Sequence, residues 1–395
     1  MLESVEAKSD KGQENEAGFK VVSELCEKAV QDGVFPGAVI LAARGGNVVY
    51  HRSFGFKSMR SLKTTEPAPM ELDTVFDLAS LTALVVTATL MMKLYESGKI
   101  KLSDRVSRYI QAFAVLGKSS ITIEQLLSHS SGLPAWVPFF EELLEAQAGE
   151  RRGIITSRGA KDYILNAINR MELKYAPGSK QVYSDIGLIL LGVLIEVLTG
   201  LSLEKAAQRL IFQPLGLKST SYIDLSMIKR RGIHPVRDLI APTEECPWRK
   251  RVLCGEVHDD NAWVMGGIAG HSGLFSNAGD LHIFCAEMLR AWRGDSSLLK
   301  QETLRVFWTP GFKFEEGYLC GWDRPSKENG MIESGLSPQA VGQNGFTGCS
   351  LWLEPQEGLE IILLSNRVHP TRNNKKIFSF RPEIHHAILD ALRRQ

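Results

Sequence analysis

The most distinctive hydrophobic run in the chain extends from Leu78 to Met92, where nearly every residue is apolar or small. Spanning a bilayer takes about 20 apolar residues, so this shorter run predicts a helix that is buried on all sides. Ser80 stands at its start, where unpaired backbone N–H groups and the helix dipole favour negative charge. A nucleophile whose reaction passes through an oxyanion suits that position, but serine is also a preferred N-cap, and this stretch alone leaves both interpretations open.

The remaining periodicity predicts helices at both ends of the chain and a long helical stretch in the middle. Apolar residues at helical spacing predict helices over residues 17–31, 138–169, 186–200, 280–290 and 382–394. Thr122 and Gln125 predict a capping box, and Asp280 is expected to cap the helix that follows it. Apolar runs bounded by turn residues predict strands over 36–43, 345–354 and 359–365, and another beginning at 48.

This order of elements predicts an α+β fold, with an antiparallel sheet flanked by terminal helices and an inserted, mostly helical domain. The predicted sheet domain comprises residues 17–79 and 255–395, and the helical domain comprises residues 80–254. The active-site cleft is expected between the two domains.

Composition narrows the possible functions and locations. Among 395 residues, 46 are basic and 45 acidic, and this balance asks for neither nucleic acid nor an anionic membrane. Residues 1–16 are polar and lack an apolar core, so they predict a disordered leader on a cytoplasmic chain, or a periplasmic one if a signal peptide was removed. The six cysteines form no CxxC pair and are expected to be free and buried. Neither these cysteines nor His258-Asp259-Asp260 have metal-site spacing, so no metal or cofactor is expected.

Several segments, in this order along the chain, resemble blocks of the serine β-lactamase and penicillin-binding-protein superfamily, in its class C-like hydrolase and esterase branch. They are FDLASLT, ITIEQLLSHSSGLPAW, YAPGSKQVYSDIGLILLG, GGIAGHSGLFSNAGDL, GFTGCSLWLEP and LLSNRVHP. The resemblance extends over residues 20–393 and implies the β-lactamase/transpeptidase-like fold. It also implies acyl transfer on a β-lactam, peptide or ester, in a superfamily that includes inactive members. The implied partner is a small acyl ligand, and neither nucleic acid nor a membrane segment is expected.

The first family motif, Ser-x-x-Lys, is incomplete. Ser80 matches the nucleophile, but Ala83 stands at the lysine position and has no group that can accept a proton. The second motif is complete as Tyr183-Ser184-Asp185. By resemblance Tyr183 is the general base or acid and Asp185 an orienting group, although a packed tyrosine and a helix-capping aspartate would fit the same residues.

The third motif, Lys-Thr-Gly or His-Thr-Gly in the family, is also altered, to Gln343-Asn344-Gly345. Gln343 and Asn344 can form hydrogen bonds to a substrate but carry no charge, and Gly345 permits close approach of the backbone. By resemblance the backbone N–H groups of Ser80 and Phe346 form the oxyanion hole. His271 lies in a family block and is a further candidate substrate contact, or a residue that fixes its loop.

The two altered motifs both weaken activation of the serine. Tyrosine has a pKa near 10 and works as a base only if nearby cations lower that pKa, and the cations of both motifs are missing. One hypothesis is a weak serine hydrolase, in which Ser80 is assisted by Tyr183, His271 or water. A second is a catalytically silent ligand-binding or regulatory protein. A third is an engineered lysine-to-alanine variant of an active enzyme, against which Gln343 and Asn344 argue, because one designed change would not explain them.

Overall fold

The computed structural model describes residues 16–58, 67–149, 153–310 and 317–394. The predicted leader, residues 1–16, falls outside these ranges except for its last residue. Six of the described strands form one antiparallel sheet in the order β3-β2-β1-β11-β10-β9. The strands of this sheet are β1 Gly37–Arg44, β2 Asn47–Ser58, β3 Ala68–Pro69, β9 Val341–Asn344, β10 Ser350–Glu354 and β11 Leu359–Ser365.

The central strand β1 is apolar on both sides because both faces of the sheet are covered. Side chains alternate along a strand, so Val39 and Leu41 enter one core while Ala38 and Ile40 enter the other. The first core joins the sheet to α11 (Ala278–Arg293) and to the helical insert. The second lies beneath α1 (Glu16–Gln31) and α13 (Ile377–Arg393), which pack against each other. This arrangement confirms the predicted α+β class and the terminal helices.

The segment between β2 and α11 carries most of the remaining elements. Its helices are a π-helical segment Ala83–Ala88, α2 Thr89–Glu96, α3 Ile123–Leu127, α4 Phe139–Ala148, α5 Arg158–Asn169, α6 Asp185–Thr199, α7 Leu203–Ala207, a second π-helical segment Gln208–Phe212, α8 Gln213–Leu215, α9 Leu225–Arg231 and α10 Asp260–Val264. Short 3-10 turns cover Val106–Arg108, Gln111–Ala114 and Arg237–Leu239, and α12 spans Gln301–Phe307 further along. Two small sheets complete the described part, from β4 Phe76–Asp77, β5 Ser221–Tyr222 and β8 Leu274–Ser276, and from β6 Glu245–Cys246 and β7 Arg251–Val252.

The capping box at Thr122 is confirmed, since the Thr122 side chain accepts from the Gln125 backbone and the Gln125 side chain accepts from the Thr122 backbone. The prediction for Asp280 was wrong. Asn277 is the N-cap of α11 and accepts a hydrogen bond from the Asp280 N–H. The Asp280 carboxylate instead accepts hydrogen bonds from the backbone of Ser219 and the hydroxyl of Thr220.

Two predicted boundaries near the C-terminus also need correction. The predicted strand over 345–354 is a turn up to Cys349 followed by β10, because the Gly345 N–H bonds to the Cys349 carbonyl at 2.7 Å and closes the turn. The last helix begins at Ile377 rather than at Pro382, which lies inside it.

All six cysteines are buried and free, as predicted. In the described ranges no individual helix is long and apolar enough to cross a membrane. The consecutive helices at 185–199 and 203–215 meet the same criterion of length and apolar content only as a pair, and the chain bends by 70° between them.

Candidate functional site

Ser80 lies on a tight turn that Asp77 holds in shape. The preceding residue, Ala79, has a φ of +47°, a left-handed conformation that costs a residue with a Cβ atom about 1 kcal/mol or more. Its N–H donates to Asp77 Oδ1 at 2.9 Å, and the other carboxylate oxygen accepts the His258 N–H at 2.7 Å. Burial raises the pKa of Asp77, and these two backbone donors oppose that rise because they stabilise the carboxylate. The turn that presents Ser80 is therefore held by hydrogen bonds from main-chain N–H groups to the Asp77 carboxylate.

The helix that follows Ser80 is buried, as predicted, but it begins with the π-helical segment Ala83–Ala88. Ala83 lies one turn after the serine, since its N–H donates to the Ser80 carbonyl at 2.9 Å. Its side chain is 1% exposed and belongs to the main core. On the same segment, the Thr87 hydroxyl donates to the Gly270 carbonyl at 2.7 Å, so the glycine-rich loop 265–273 is tied to this helix.

Tyr183 comes to Ser80 from the start of α6. Ser184, rather than Asp185, caps this helix: its hydroxyl accepts the Gly187 N–H at 3.2 Å and donates to the Pro134 carbonyl at 2.6 Å. The proposed capping role for Asp185 is thus wrong. The buried Tyr183 hydroxyl has no well-formed hydrogen bond to a described residue, but it lies close enough to the Ser80 hydroxyl to interact with it.

The environment of Tyr183 opposes its ionisation. Burial raises the pKa of Tyr183 well above 10, and the carboxyl groups of Asp185 and Asp323 raise it further, while the Ser80 hydroxyl lowers it in part. Burial also raises the pKa of Asp185 to about 6 and that of Asp323 to about 8. No cation is among the main influences on the Tyr183 pKa. These influences favour the protonated phenol at neutral pH, so Tyr183 is poorly suited to accept a proton from Ser80.

Two aromatic rings pack beside Tyr183. The centre of the His129 ring lies 4.4 Å from the centre of the Tyr183 ring, and the centre of the Tyr318 ring lies 5.8 Å from it. His129 accepts the Ser184 N–H on Nδ1 at 3.1 Å, and burial lowers the pKa of His129 to about 3, so the imidazole is neutral. His129 therefore tethers the segment that leads into α6.

Sequence reasoning missed Tyr318 and Asp323. The available signal was a carboxyl group placed directly after the apolar residues Leu319 to Trp322, which implies burial of an acid.

The third motif divides between the two faces of the sheet. Gln343 is buried and lies on the same face of the sheet as its partner Leu351, which belongs to the core beneath the helical insert. Its side-chain oxygen has no partner among the described residues. Asn344 faces the opposite way, where its amide donates to the Asn329 carbonyl and accepts from Trp352. Because side chains alternate along a strand, the position of Asn344 does not support its predicted role in substrate binding.

Gly345 brings the end of β9 against the turn that carries Ser80. A Cβ atom at Gly345 would lie 2.7 Å from the Leu78 carbonyl oxygen, which explains why no larger residue fits. The Thr347 hydroxyl donates to the Asp77 carbonyl at 2.7 Å and joins the two turns again. Among the described residues, neither the Ser80 N–H nor the Phe346 N–H has an acceptor, so two free donors lie on adjoining turns.

His271 is buried, and its Nε2 lies 2.9 Å from Asp259 Oδ1. Burial lowers the pKa of His271, but the Asp259 carboxylate raises it by more, so the net shift is upward. Burial raises the pKa of Asp259, but His271 outweighs this effect and holds that pKa at about 2. The bond fixes the glycine-rich loop, while a direct contact of His271 with substrate stays a prediction. Asp260 is likewise engaged, by Arg249 at 2.7 Å and by Arg372 at 3.0 Å. No group of three or more possible metal ligands occurs within the described ranges.

An antiparallel sheet, a helical insert, and a serine on a tight turn beside the end of a sheet strand define a serine hydrolase of the β-lactamase and penicillin-binding-protein class. The sequence model of the Beta-lactamase family matches residues 22–383, and the chain belongs to this family.

Among its relatives, an Escherichia coli (strain K12) protein provisionally named a D-alanyl-D-alanine carboxypeptidase is 32% identical over 358 residues, which cover 85% of this chain and 79% of the relative. The N-acetylmuramyl-L-alanine amidase of Bacillus subtilis (strain 168) is 32% identical over 375 residues, with 89% and 81% coverage. In structure, the chain is similar to EstCE1, a hydrolase with promiscuous acyltransferase activity, with a TM-score of 0.69, 22% identity, and coverage of 94% of this chain and 98% of that one. At that identity the likeness to EstCE1 concerns the fold.

Proposed function

We propose that this protein binds small acyl or peptide ligands in the cleft beside Ser80 and acylates that serine only slowly. The ligand class follows from the family, whose members act on small acyl or peptide substrates. The names of the two bacterial relatives favour peptide-type amide bonds, so a D-alanyl peptide is the first ligand to test.

The observation that carries the proposal is that neither position 83 nor position 343 has a cationic or titrating side chain. A general base beside the serine contributes about 10²–10⁴ to the rate of such reactions. Here the lysine position is a buried alanine and the motif position on β9 is an uncharged glutamine. Two carboxyl groups raise the pKa of Tyr183 where a base would need cations to lower it. Deprotonation of the Ser80 hydroxyl therefore has no efficient acceptor.

Binding and transition-state stabilisation are the parts of the machinery that remain. The free N–H groups of Ser80 and Phe346 need no particular side chain to act as an oxyanion hole. Gln343 offers an unpartnered carbonyl on the cleft side of the sheet. These groups support ligand binding and residual attack by Ser80 on esters with good leaving groups.

Intact-mass measurement tests the proposal directly. The protein is incubated with p-nitrophenyl acetate, and separately with benzylpenicillin, and the acyl adduct is followed over time. We expect slow, incomplete modification by the ester, no modification of the matched Ser80→Ala variant at the same site, and little or no adduct with the β-lactam. Rapid stoichiometric acylation by either reagent would reject the proposal.

A fully silent ligand-binding protein is the second candidate, and the raised pKa of Tyr183 favours it. Calorimetric titration with D-alanyl-D-alanine separates the candidates when read beside the mass data. Binding without any ester adduct over many hours supports the silent candidate, and binding with a Ser80-dependent adduct supports the slow hydrolase.

A further inference from the structure

Two buried arginines lie beneath the turn that carries the Phe346 N–H. Arg367 is 1% exposed and Arg381 is 4% exposed. Within the described ranges neither has a carboxylate within 4.0 Å, the distance at which the other arginines of the core form ion pairs. Burial lowers the pKa of each to about 10, so both remain cationic at neutral pH. Buried charges that no carboxylate contacts are costly, and such a pair calls for a functional explanation.

Their donors are directed at the carbonyls of the turn itself. Arg381 Nη2 donates to the carbonyls of Gly345 and Cys349, each at 3.2 Å. Arg367 Nε donates to the Phe346 carbonyl at 2.9 Å, and its guanidinium lies 4.5 Å from the centre of the Phe346 ring. Arg367 Nη1 reaches the carbonyls of Arg372 and Asn374 at 2.9 and 2.6 Å. Each guanidinium also keeps one buried N–H without an acceptor among the described residues.

The bond from Arg381 acts on the peptide unit that supplies the oxyanion donor. The Gly345 carbonyl and the Phe346 N–H belong to one peptide group, so a charged donor on the carbonyl polarises the N–H at the other end. Hydrogen bonds in a chain strengthen each other in this way, and the low dielectric of the interior increases the effect. Both guanidinium charges also favour an anion placed at the Phe346 N–H.

We propose that Arg381 and Arg367 are positioning residues. They orient the Phe346 turn and place positive charge beneath it, so that its N–H group binds a tetrahedral oxyanion formed at Ser80. The proposal rests on the oxyanion hole of the proposed function. It means that positive charge, absent from positions 83 and 343, lies instead beneath the turn that follows β9, where it serves binding of the anion and not activation of the serine.

Phenylboronic acid provides the test, because the extent of its reaction at equilibrium does not depend on a general base. The boron forms a bond to Ser80 Oγ, the serine proton is released to solvent, and the product is a tetrahedral anion whose oxygen occupies the oxyanion hole. Its formation is followed by ¹¹B NMR, and its dissociation constant by titration. Phenylacetamide serves as a neutral ligand of similar size that forms no bond to the serine.

We expect the Arg381→Met and Arg367→Met variants each to weaken the boronate adduct about tenfold or more, since loss of a direct oxyanion donor costs about 10²–10³ in comparable sites and this action is indirect. Phenylacetamide affinity should change by less than about twofold, and Arg381→Lys should lose less boronate affinity than Arg381→Met because the lysine amine still provides a hydrogen-bond donor. Arg231→Met, at an exposed residue at the end of α9, is the matched control for loss of a positive charge.

Equal losses for boronate and phenylacetamide would show a structural role only and overturn the proposal, as would unchanged boronate affinity in both methionine variants. A measurement on the unmodified protein covers the case in which those variants do not fold. The boronate bound to wild type should become tetrahedral at least about one pH unit below free phenylboronic acid, because the site favours the anion. No displacement of that pH would refute the inference, whereas rapid acylation by esters would refute only the proposed slow chemistry.

Discussion

Restoring a lysine at position 83 is expected to restore esterase activity. Ala83 lies one turn after Ser80, with its N–H bonded to the serine carbonyl at 2.9 Å, so a lysine there extends along the same side of the helix as the serine hydroxyl. Its amine can accept the serine proton directly if burial keeps it neutral. If it is charged, it acts on the buried phenol of Tyr183 instead.

The size of the effect follows from Coulomb's law. A unit charge about 4 Å from the Tyr183 oxygen, at an effective dielectric constant near 20, stabilises the phenolate by about 4 kcal/mol. That energy corresponds to about three pKa units. General bases typically contribute about 10²–10⁴ to the rate, so we expect Ala83→Lys to raise kcat/KM for p-nitrophenyl acetate at least about 100-fold.

The assay compares initial rates of the Ala83→Lys variant with those of an Ala83→Met variant. Methionine is similar in length to lysine and carries no charge, so it reports the effect of filling the space alone. Circular dichroism and the melting temperature establish that both variants are folded. A folded lysine variant with less than about a tenfold gain, or an equal gain in the methionine variant, would refute the argument that a missing proton acceptor limits the reaction.

Other substitutions test the packing and charge of the site. Gly345→Ala should cost about 1–3 kcal/mol of unfolding free energy and abolish the boronate adduct, because its Cβ would lie 2.7 Å from the Leu78 carbonyl oxygen. Gly279→Ala is the control and should change neither quantity, because its Cβ would meet only an Asn277 side-chain oxygen at 3.7 Å. Arg249→Met should cost about 1.5–3 kcal/mol in urea denaturation, because it removes the closer of the two arginines that pair with the buried Asp260 carboxylate, and a loss under about 1 kcal/mol would contradict this. Burial raises the pKa of Asp323 to about 8, above its value near 4 in the unfolded chain. The stability of the wild-type protein relative to the Asp323→Asn variant should therefore fall as the pH rises from about 4 to about 8, and it should stay constant below about pH 4. Thermal unfolding of both proteins at pH 4 and pH 9 checks the sign, and a gap between them that does not widen toward pH 9 would show that Asp323 is not held protonated.

Much of the fold was predictable because its main elements carry strong local patterns. The helix after Ser80, α6 and the central strands have apolar runs that local periodicity identifies. Boundaries set by distant contacts were not predictable. The residues from Gly345 to Cys349 have strand-like composition but form a turn, because their position is fixed against Asp77, far away in the sequence.

The site was predictable only where chemistry resides in a motif. Ser80 and Tyr183 were identified from their motifs, and the structure brings the two hydroxyl groups near each other. The motif does not reveal that Asn344 and Gln343 lie on opposite faces, because a one-residue step along a strand moves a side chain to the other face. Asp323 and Arg381 lie outside the motifs, and Arg367 lies in a family block but at none of the three motif positions, so these residues stand out only through their burial in the folded chain.

The hydrogen bonds of Asp77 also bear on how such a protein can change its chemistry over time. The Asp77 carboxylate accepts hydrogen bonds from the Ala79 and His258 N–H groups, and its carbonyl accepts one from the Thr347 hydroxyl. These bonds connect the serine turn, the segment at His258 and the turn before Cys349. The side chains at positions 83 and 343 take part in none of these hydrogen bonds. The shape of the serine turn and the chemistry available at positions 83 and 343 therefore depend on different residues, so a few substitutions at those two positions can change the chemistry while the turn keeps its shape.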